Sequence, residues 1–290
     1  MGQPRDSSTT LTGLFGWPVL HSISPLIHNA AFTSAGLNWI YRAFGVEPEN
    51  LESAFMDFRM RRGKGLNITI PHKQAVMDLL DELSEEARLI GAVNTVLFQE
   101  RRALGYNTDG AGFIRALKEE KRFSPKGKHV CLIGAGGAGR AVAVTATREG
   151  ADRVSISDLA PDRARELSEW VNRKFGPGRA GVFQVGSPEG DEIIAGADLV
   201  VDATPLGLNP DDPLSFDPSL LSASALVMDL VYNPPETPLL KAVRARGVGG
   251  INGLGMLVHQ AAAAWEIWTG REPPLQVMKE AAQQALYGKN

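Results

Sequence analysis

The sequence predicts an α/β protein of two domains, and three observations carry that expectation. At 290 residues the chain exceeds the ~100–200 residues of a usual single domain. Short β-branched strands alternate with amphipathic helices along most of its length. One complete βαβ unit lies past the middle, opening HVCLIGAGGAGRAV at His129 and closing RVSISD at Asp158.

In that unit the strand His129–Ile133 runs into Gly134, Gly136 and Gly139, the G-x-G-x-x-G spacing, with Asp158 nineteen positions beyond Gly139. Gly134 permits the turn out of the strand, Gly136 lets the backbone approach a pyrophosphate, and Gly139 lets the helix pack on the sheet. The loop Gly134, Ala135, Gly136, Gly137, Ala138, Gly139 is therefore expected to bind a dinucleotide. Its pyrophosphate would sit on free N–H groups near Ala138, at the positive end of the helix dipole. Asp158 stands where a carboxylate accepts hydrogen bonds from an adenosine ribose. The alternative is a glycine-rich turn that binds nothing, and the strand before, helix after and acid at the right distance argue against it.

Composition narrows the partners. A net charge of −3, pI near 6.0 and 43% hydrophobic residues are ordinary for a globular protein and give no electrostatic reason for a nucleic-acid or membrane partner. A small molecule remains. The single cysteine, Cys131, excludes a disulfide framework and a cysteine metal site, and no metal is expected. No apolar run approaches the ~18 residues of a membrane span, and the start MGQPRDSSTT is polar rather than signal-like, so a cytoplasmic location is expected.

Taken in order, Leu11–Phe15 reads as a first strand, broken by Gly16-Trp17-Pro18. Pro25 suits a first helical position and Ser24 an N-cap, so a helix starts there. Ser22 and Ser24 at that start either hold a carboxylate or serve as loop and cap. Trp39–Val46 is a strand, Asn50–Arg62 a helix and Leu66–Ile70 a strand ended by Pro71. Lys73 then sits at the start of a helical stretch through Ile90, where a cation opposes the dipole and is either solvated or used. AVNTVLF is a strand whose Asn94 needs partners if buried. Asp109 reads locally as a cap for a helix Ala111–Lys121.

Phe123–Lys128 joins the two domains. Beyond Asp158 come a helix Pro161–Phe175, a strand within Arg179–Gln184 and a buried strand Ala197–Ala203. The last ends at Thr204 and Leu206, where a Rossmann sheet presents its strand ends to the ligand. Leu226–Val231 is another strand, Pro238–Arg246 a helix, Gly247–Ile251 a final strand, and helices follow from about Gly255 and over Leu275–Leu286.

Together these segments resemble one family, the shikimate dehydrogenases with their quinate/shikimate relatives. The resemblance covers almost the whole chain after its first ten residues. Its carriers are G-W-P-x-x-H-S-I-S-P-x-x-H-N at Gly16–Asn29, G-L-N-I-T-I-P-H-K at Gly65–Lys73, G-A-V-N-T-V at Gly91–Val96 and N-T-D-G at Asn107–Gly110. They continue with G-A-G-G-A-G-R-A, D-L-V-Y-N-P at Asp229–Pro234 and G-L-G-M-L-V-x-Q at Gly253–Gln260.

The resemblance implies residue roles. Ser22 and Ser24 would hold the substrate carboxylate, with Thr69, Asn94, Asp109 and Gln260 on the ring hydroxyls and Tyr232 close by. Lys73 and Asp109 would be the catalytic pair, exchanging a proton with the reacting oxygen while the cofactor takes a hydride. It further implies a substrate-binding domain, 1–109 plus 255–290, and a Rossmann-type NAD(P)-binding domain, 110–254, with a cleft between. Gly253, Met256 and Leu257 would lie near the nicotinamide, with Thr204, Leu206 and Val231 also on the cofactor. The expected substrate is a small polyol carboxylic acid of the chorismate pathway of aromatic amino acid biosynthesis, and the expected assembly a monomer or homodimer.

Two departures stand out. Many relatives follow the second cofactor strand with an Asn-Arg-Thr-like segment whose arginine meets the 2′-phosphate of NADP. Here the segment is Ser157-Asp158-Leu159, and a carboxylate repels a phosphate, so NAD is expected over NADP, as in the NAD-using branch. Arg163, or less directly Arg140 or Arg165, remains as a phosphate partner. Asn252 replaces a common Asp before Gly253. The expected reaction is oxidation of the C3 hydroxyl of shikimate to 3-dehydroshikimate, with quinate to 3-dehydroquinate as a second activity. Alternatives are a quinate- or aminoshikimate-preferring dehydrogenase, or a non-catalytic NAD-sensing module on the same fold, which the intact Lys73 and Asp109 disfavour.

Overall fold

The computed structural model describes residues 9–288 and divides into two compact units, one through Thr108 together with the residues from Val258 onward, the other Asp109–Leu257. The first unit begins with β1 (Thr10–Gly16), α1 (Ser24–Ser34), β2 (Trp39–Gly45), α2 (Leu51–Met60), β3 (Gly65–Ile68), β4 (Glu82–Leu83), α3 (Glu85–Ile90), β5 (Thr95–Gln99) and β6 (Arg102–Tyr106). Its sheet runs β2-β1-β3-β5-β6-β4, with β1 parallel to β2 and β3, and β5 antiparallel to β3 and β6. Phe15, Phe55 and Phe58 are buried on one side of it, Phe15 meeting Phe58 edge-on at 5.7 Å. Full burial of such a ring stabilises by roughly 1.5–3 kcal/mol.

Residues 73–90 do not form the continuous helical stretch expected. A 3-10 turn, Ala75–Leu79, is followed by β4 and then α3. Asp81 explains the break. Its N–H donates to the Ala103 carbonyl at 3.0 Å and its carboxylate accepts the Ala103 N–H at 2.6 Å, which pins this segment to β6. Ser84 then caps α3 by accepting from the Ala87 N–H, and Gly91 ends that helix with φ +72°.

The second unit comprises α4 (Asp109–Lys121), β7 (His129–Ile133), α5 (Gly137–Arg148), β8 (Arg153–Ser157), α6 (Pro161–Phe175), β9 (Ala180–Val182), α7 (Pro188–Ala195), β10 (Leu199–Asp202), β11 (Leu226–Asp229), α8 (Pro238–Ala245) and β12 (Gly249–Ile251). Its six strands are all parallel in the order β12-β11-β10-β7-β8-β9. Counted within the unit this is 3-2-1-4-5-6 read from β9, the doubly wound dinucleotide-binding order, with its switch point between β7 and β10. The expected strands all form: β7 and β8 keep their expected bounds, and the other four are two or three residues shorter. The helix α7 was not anticipated, although Ser187 caps it by accepting from the Gly190 N–H at 3.0 Å.

The chain ends in α9 (Leu254–Thr269) and α10 (Leu275–Tyr287). In the first unit, Trp268 of α9 donates its indole N–H to the Val96 carbonyl at 3.0 Å, and α10 packs on α1. Gly65 makes room for that indole, since a Cβ there would lie 2.5 Å from the Trp268 ring. The α/β class and the two-domain organisation are thus as the sequence predicts.

Candidate active site

In the first unit the loop after β1 brings Ser22 and Ser24 to the start of α1. Ser24 is buried and Ser22 half-buried. The expected cap is corrected: Ile23 occupies the cap position and no side chain caps the helix. The Ser22 hydroxyl instead accepts the Ser24 N–H at 3.2 Å and lies 3.2 Å from the Ser24 Oγ, so two hydroxyls stand side by side at a helix N-terminus. An acceptor-only anion suits such a pair, because both groups can turn a proton toward it.

Thr69 and Lys73 lie on the loop leaving β3. Thr69 donates its N–H to the Phe15 carbonyl at 2.9 Å, and the Lys73 carbonyl accepts the Val93 N–H at 2.7 Å. Lys73 precedes the 3-10 turn rather than starting an α-helix, so the unfavourable helix-dipole argument does not apply to it. The backbone tie to Val93 sets Lys73 beside Asn94, which precedes β5 rather than lying within the expected strand.

Asn94 is 2% exposed and fully partnered. Its Oδ1 accepts the Thr108 N–H at 2.8 Å, and its Nδ2 donates to Thr108 Oγ1 at 2.9 Å and to Gln260 Oε1 at 3.4 Å. The requirement that a buried asparagine find partners is met by residues 14 and 166 positions away. Sequence reasoning missed the members next to it. Asn67 donates to the Asn94 carbonyl and to Thr95 Oγ1, and accepts from the Tyr41 hydroxyl at 2.8 Å. The argument used for Asn94 also applied to Asn67, a lone amide in the apolar strand LNI.

In the second unit Asp109 is buried in the first turn of α4, where a carboxylate is favoured by the dipole. The glycine loop is built as its spacing implies. Gly134 has φ +99°, and a Cβ on it would lie 2.8 Å from the Ala203 backbone. A Cβ on Gly139 would lie 1.9 Å from the Gly134 carbonyl, whereas one on Gly136 would meet nothing within 4 Å. The two packing glycines and the one facing open space are distinct. α5 begins at Gly137 without a side-chain cap, so its first N–H groups suit a pyrophosphate.

The ends of β10 and β11 carry the rest. The Thr204 N–H donates to Asp202 at 2.9 Å, and Thr204 Oγ1 accepts the Leu206 N–H at 3.2 Å. Asp229 accepts from the Val231 N–H and the Thr237 hydroxyl, holding the segment that bears Tyr232. Burial pushes the Asp229 carboxyl up to about 6 and raises the Tyr232 phenol. A Cβ on Gly253 would lie 2.0 Å from the Leu230 carbonyl, so Gly253 lies against the end of β11. Met256 is buried one turn on, and the Leu257 N–H donates to the Gly253 carbonyl at 2.9 Å. Asn252 gains an account as well: its Nδ2 donates to the Pro235 carbonyl at 2.8 Å while its Oδ1 accepts the Leu254 N–H. Aspartate would make only the second bond.

Comparison with known proteins identifies the family. The pattern of the shikimate dehydrogenase substrate binding domain matches residues 14–96, and that of the shikimate 5'-dehydrogenase C-terminal domain matches residues 253–283. A shikimate dehydrogenase (NADP(+)) of Methanopyrus kandleri is 47% identical over 286 residues, 97% of each chain. The chain belongs to the shikimate dehydrogenase family. The crystal structure of a shikimate dehydrogenase in complex with NADP+ matches with a TM-score of 0.90 at 39% identity, covering 99% of each chain. The shikimate 5-dehydrogenase of Thermus thermophilus, in complex with NADP(H) and shikimate, matches at 0.84 and 37% identity over 96% of this chain and all of that one.

The comparisons overturn one expectation, NAD over NADP: curated family members 42–47% identical to this chain are named for NADP(+), and both of those solved relatives hold the phosphorylated cofactor. The geometry shows why Asp158 misled. Its Oδ2 accepts the Ala135 N–H at 2.7 Å and its Oδ1 the Ala160 N–H at 2.8 Å. The carboxylate clasps the glycine loop to the turn before α6, and two amide dipoles offset its charge. Of the three arginines considered, Arg140 is committed to Glu166 and stacks over Trp170, and Arg165 pairs with Asp162. Arg163 is exposed in the first turn of α6 with no side-chain partner among the described residues.

Proposed function

We propose that this protein catalyses the reversible oxidation of the C3 hydroxyl of shikimate to 3-dehydroshikimate with NADP. Family membership and the Asn94–Thr108–Gln260 cluster, in which Gln260 is half-buried, support this reading, the cluster presenting amide and hydroxyl groups suited to a polyol ring. In it Ser22 and Ser24 hold the carboxylate, while Thr69, Asn94, Asp109 and Gln260 bind ring hydroxyls beside Tyr232. The open face at Gly136 and the uncapped start of α5 fit a dinucleotide pyrophosphate, with Thr204, Leu206, Val231, Gly253, Met256 and Leu257 completing the cofactor contacts.

The bound dinucleotide supplies the hydride acceptor. Lys73 and Asp109 do the proton work: as C3 loses its hydride, the pair takes the proton from the C3 oxygen, and the Lys73 cation stabilises the alkoxide character that develops. In reduction the same pair returns the proton. Arg163 meets the 2′-phosphate, the only charged difference between the two cofactors.

Initial rates for shikimate and for quinate, each with NADP and with NAD, test the reading. The shikimate–NADP pair is expected to give the highest kcat/KM. Dinucleotide binding without turnover of either acid would replace it with the sensing-module reading, and a quinate maximum with the quinate-dehydrogenase reading.

A further inference from the structure

Helix α1, which carries Ser24, meets β2 where Phe32 packs on Trp39, and its hydrogen bonds to that strand converge on Tyr41. Asn29 brackets its main chain, donating to the Tyr41 carbonyl at 3.0 Å and accepting the Tyr41 N–H at 2.8 Å. His28 stacks on its ring with centroids 4.4 Å apart and planes 8° from parallel. Ser24 lies one turn earlier on the same helix; burial raises the pKa of the phenol, and the Ser24 side chain works against that rise. Tyr41 is 1% exposed, so water does not compete for any of these contacts.

The proton of that phenol is fixed by its other partner. Asn67 directs its Nδ2 at two acceptors, the Asn94 carbonyl at 3.1 Å and Thr95 Oγ1 at 3.0 Å, so its Oδ1 must face Tyr41. The Tyr41 hydroxyl therefore donates to Asn67 at 2.8 Å, and its oxygen is left as an acceptor on the Ser24 side. Ser22 and Ser24 can then change the direction of their protons without moving their oxygens. An arriving carboxylate, which only accepts, needs that rotation and no more.

We propose that Tyr41 is the positioning residue of the carboxylate clamp, holding the Ser24 hydroxyl at the α1 N-terminus in register with Asn67 on β3 and, through it, with Asn94. The proposal rests on the reading that Ser22 and Ser24 bind the substrate carboxylate. Tyr41 touches neither substrate nor cofactor and acts through Ser24.

The test is a cycle of Tyr41→Phe, Ser24→Ala and the double variant, measured in the full chain with shikimate and NADP. Tyr41→Phe keeps the ring and its stack. It is expected to raise KM for shikimate about tenfold, with kcat changed less than about twofold and KM for NADP unchanged. Adding Ser24→Ala to Tyr41→Phe should then raise KM no further than Ser24→Ala does by itself, because both changes disable one clamp. Independent, multiplying effects, or a fall in kcat with KM intact, would overturn the proposal. Should Tyr41→Phe fail to fold, 3,5-difluorotyrosine incorporated at position 41 retains the fold and weakens the phenol oxygen as an acceptor. It should raise KM for shikimate without changing that for NADP, and an unchanged KM overturns the proposal. If Ser24→Ala leaves KM for shikimate unaltered, it is the reading of the serine pair that fails.

Discussion

Asn94 Nδ2 donates to Gln260 Oε1 at 3.4 Å, joining the residue before β5 to a helix residue 166 positions later in the chain. The same asparagine takes the Thr108 N–H, which is buried and has no water to turn to. Asn94→Ala is expected to lower the unfolding free energy by about 1–3 kcal/mol through that orphaned amide. Gln260→Ala, which removes the 3.4 Å bond to Asn94 from a half-buried group, should cost less stability than Asn94→Ala while still weakening shikimate binding. Urea unfolding of the two variants beside the parent, with KM for shikimate, checks both.

Lys73 is placed by its backbone bond to Val93, which does not depend on its side chain. Lys73→Ala should therefore fold normally and lose kcat by on the order of 100- to 10,000-fold, the usual worth of a positioned proton-transfer group. KM for shikimate should change far less, since the work is done in the transition state. An unchanged kcat would remove Lys73 from the chemistry.

Arg163 carries the cofactor argument now that Asp158 is accounted for by two backbone amides. Arg163→Ala is expected to raise KM for NADP about tenfold, the effect of losing a charge-assisted phosphate contact worth ~1.4 kcal/mol. KM for NAD should move by less than about twofold, because NAD offers no phosphate there. Steady-state kinetics with both cofactors decide it, and an equal change in the two would discard the arginine.

Gly139 lies so close to Gly134 that an added Cβ would be 1.9 Å from a backbone carbonyl. Gly139→Ala must push α5 off the loop, at a cost of about 1–3 kcal/mol or more. Gly136→Ala meets open space and should leave stability within about 0.5 kcal/mol of the parent while blocking the approach of the pyrophosphate. Thermal unfolding separates the two, and dinucleotide titration should show binding impaired in both.

His28 is fully buried with neither ring nitrogen hydrogen-bonded, and burial lowers its pKa from 6.5 to about 3. The unfolded chain takes up this proton below pH 6.5 and the folded chain does not until about 3. The depressed folded pKa means that stability is full above pH 6.5 and is lost as pH falls toward 3, by at most about 1.4 kcal/mol per unit from this group. Denaturant unfolding at pH 7, 6 and 5 should show that slope, and His28→Phe should flatten it.

The sequence by itself determined the elements whose cause is local. Three glycines at fixed spacing made the loop after β7, because each must do something a side chain forbids, and alternating strands and helices made the parallel order of the second unit the natural outcome. The segments around Ser22, Lys73, Asn94 and Asp109 were enough to name the family. What only the tertiary structure decided were the pairings. That residues 73–90 break into a 3-10 turn, a strand and a short helix follows from Asp81 reaching Ala103 on β6, which no helical period reveals. Whether Ser24 caps its helix, and what Asn67 and Tyr41 are for, depended on partners on other strands. Asp158 shows the limit most plainly. Its distance from Gly139 is written in the chain, but a carboxylate's meaning depends on which donors surround it, and the two amides that take its oxygens come from a loop and a turn brought together only by folding.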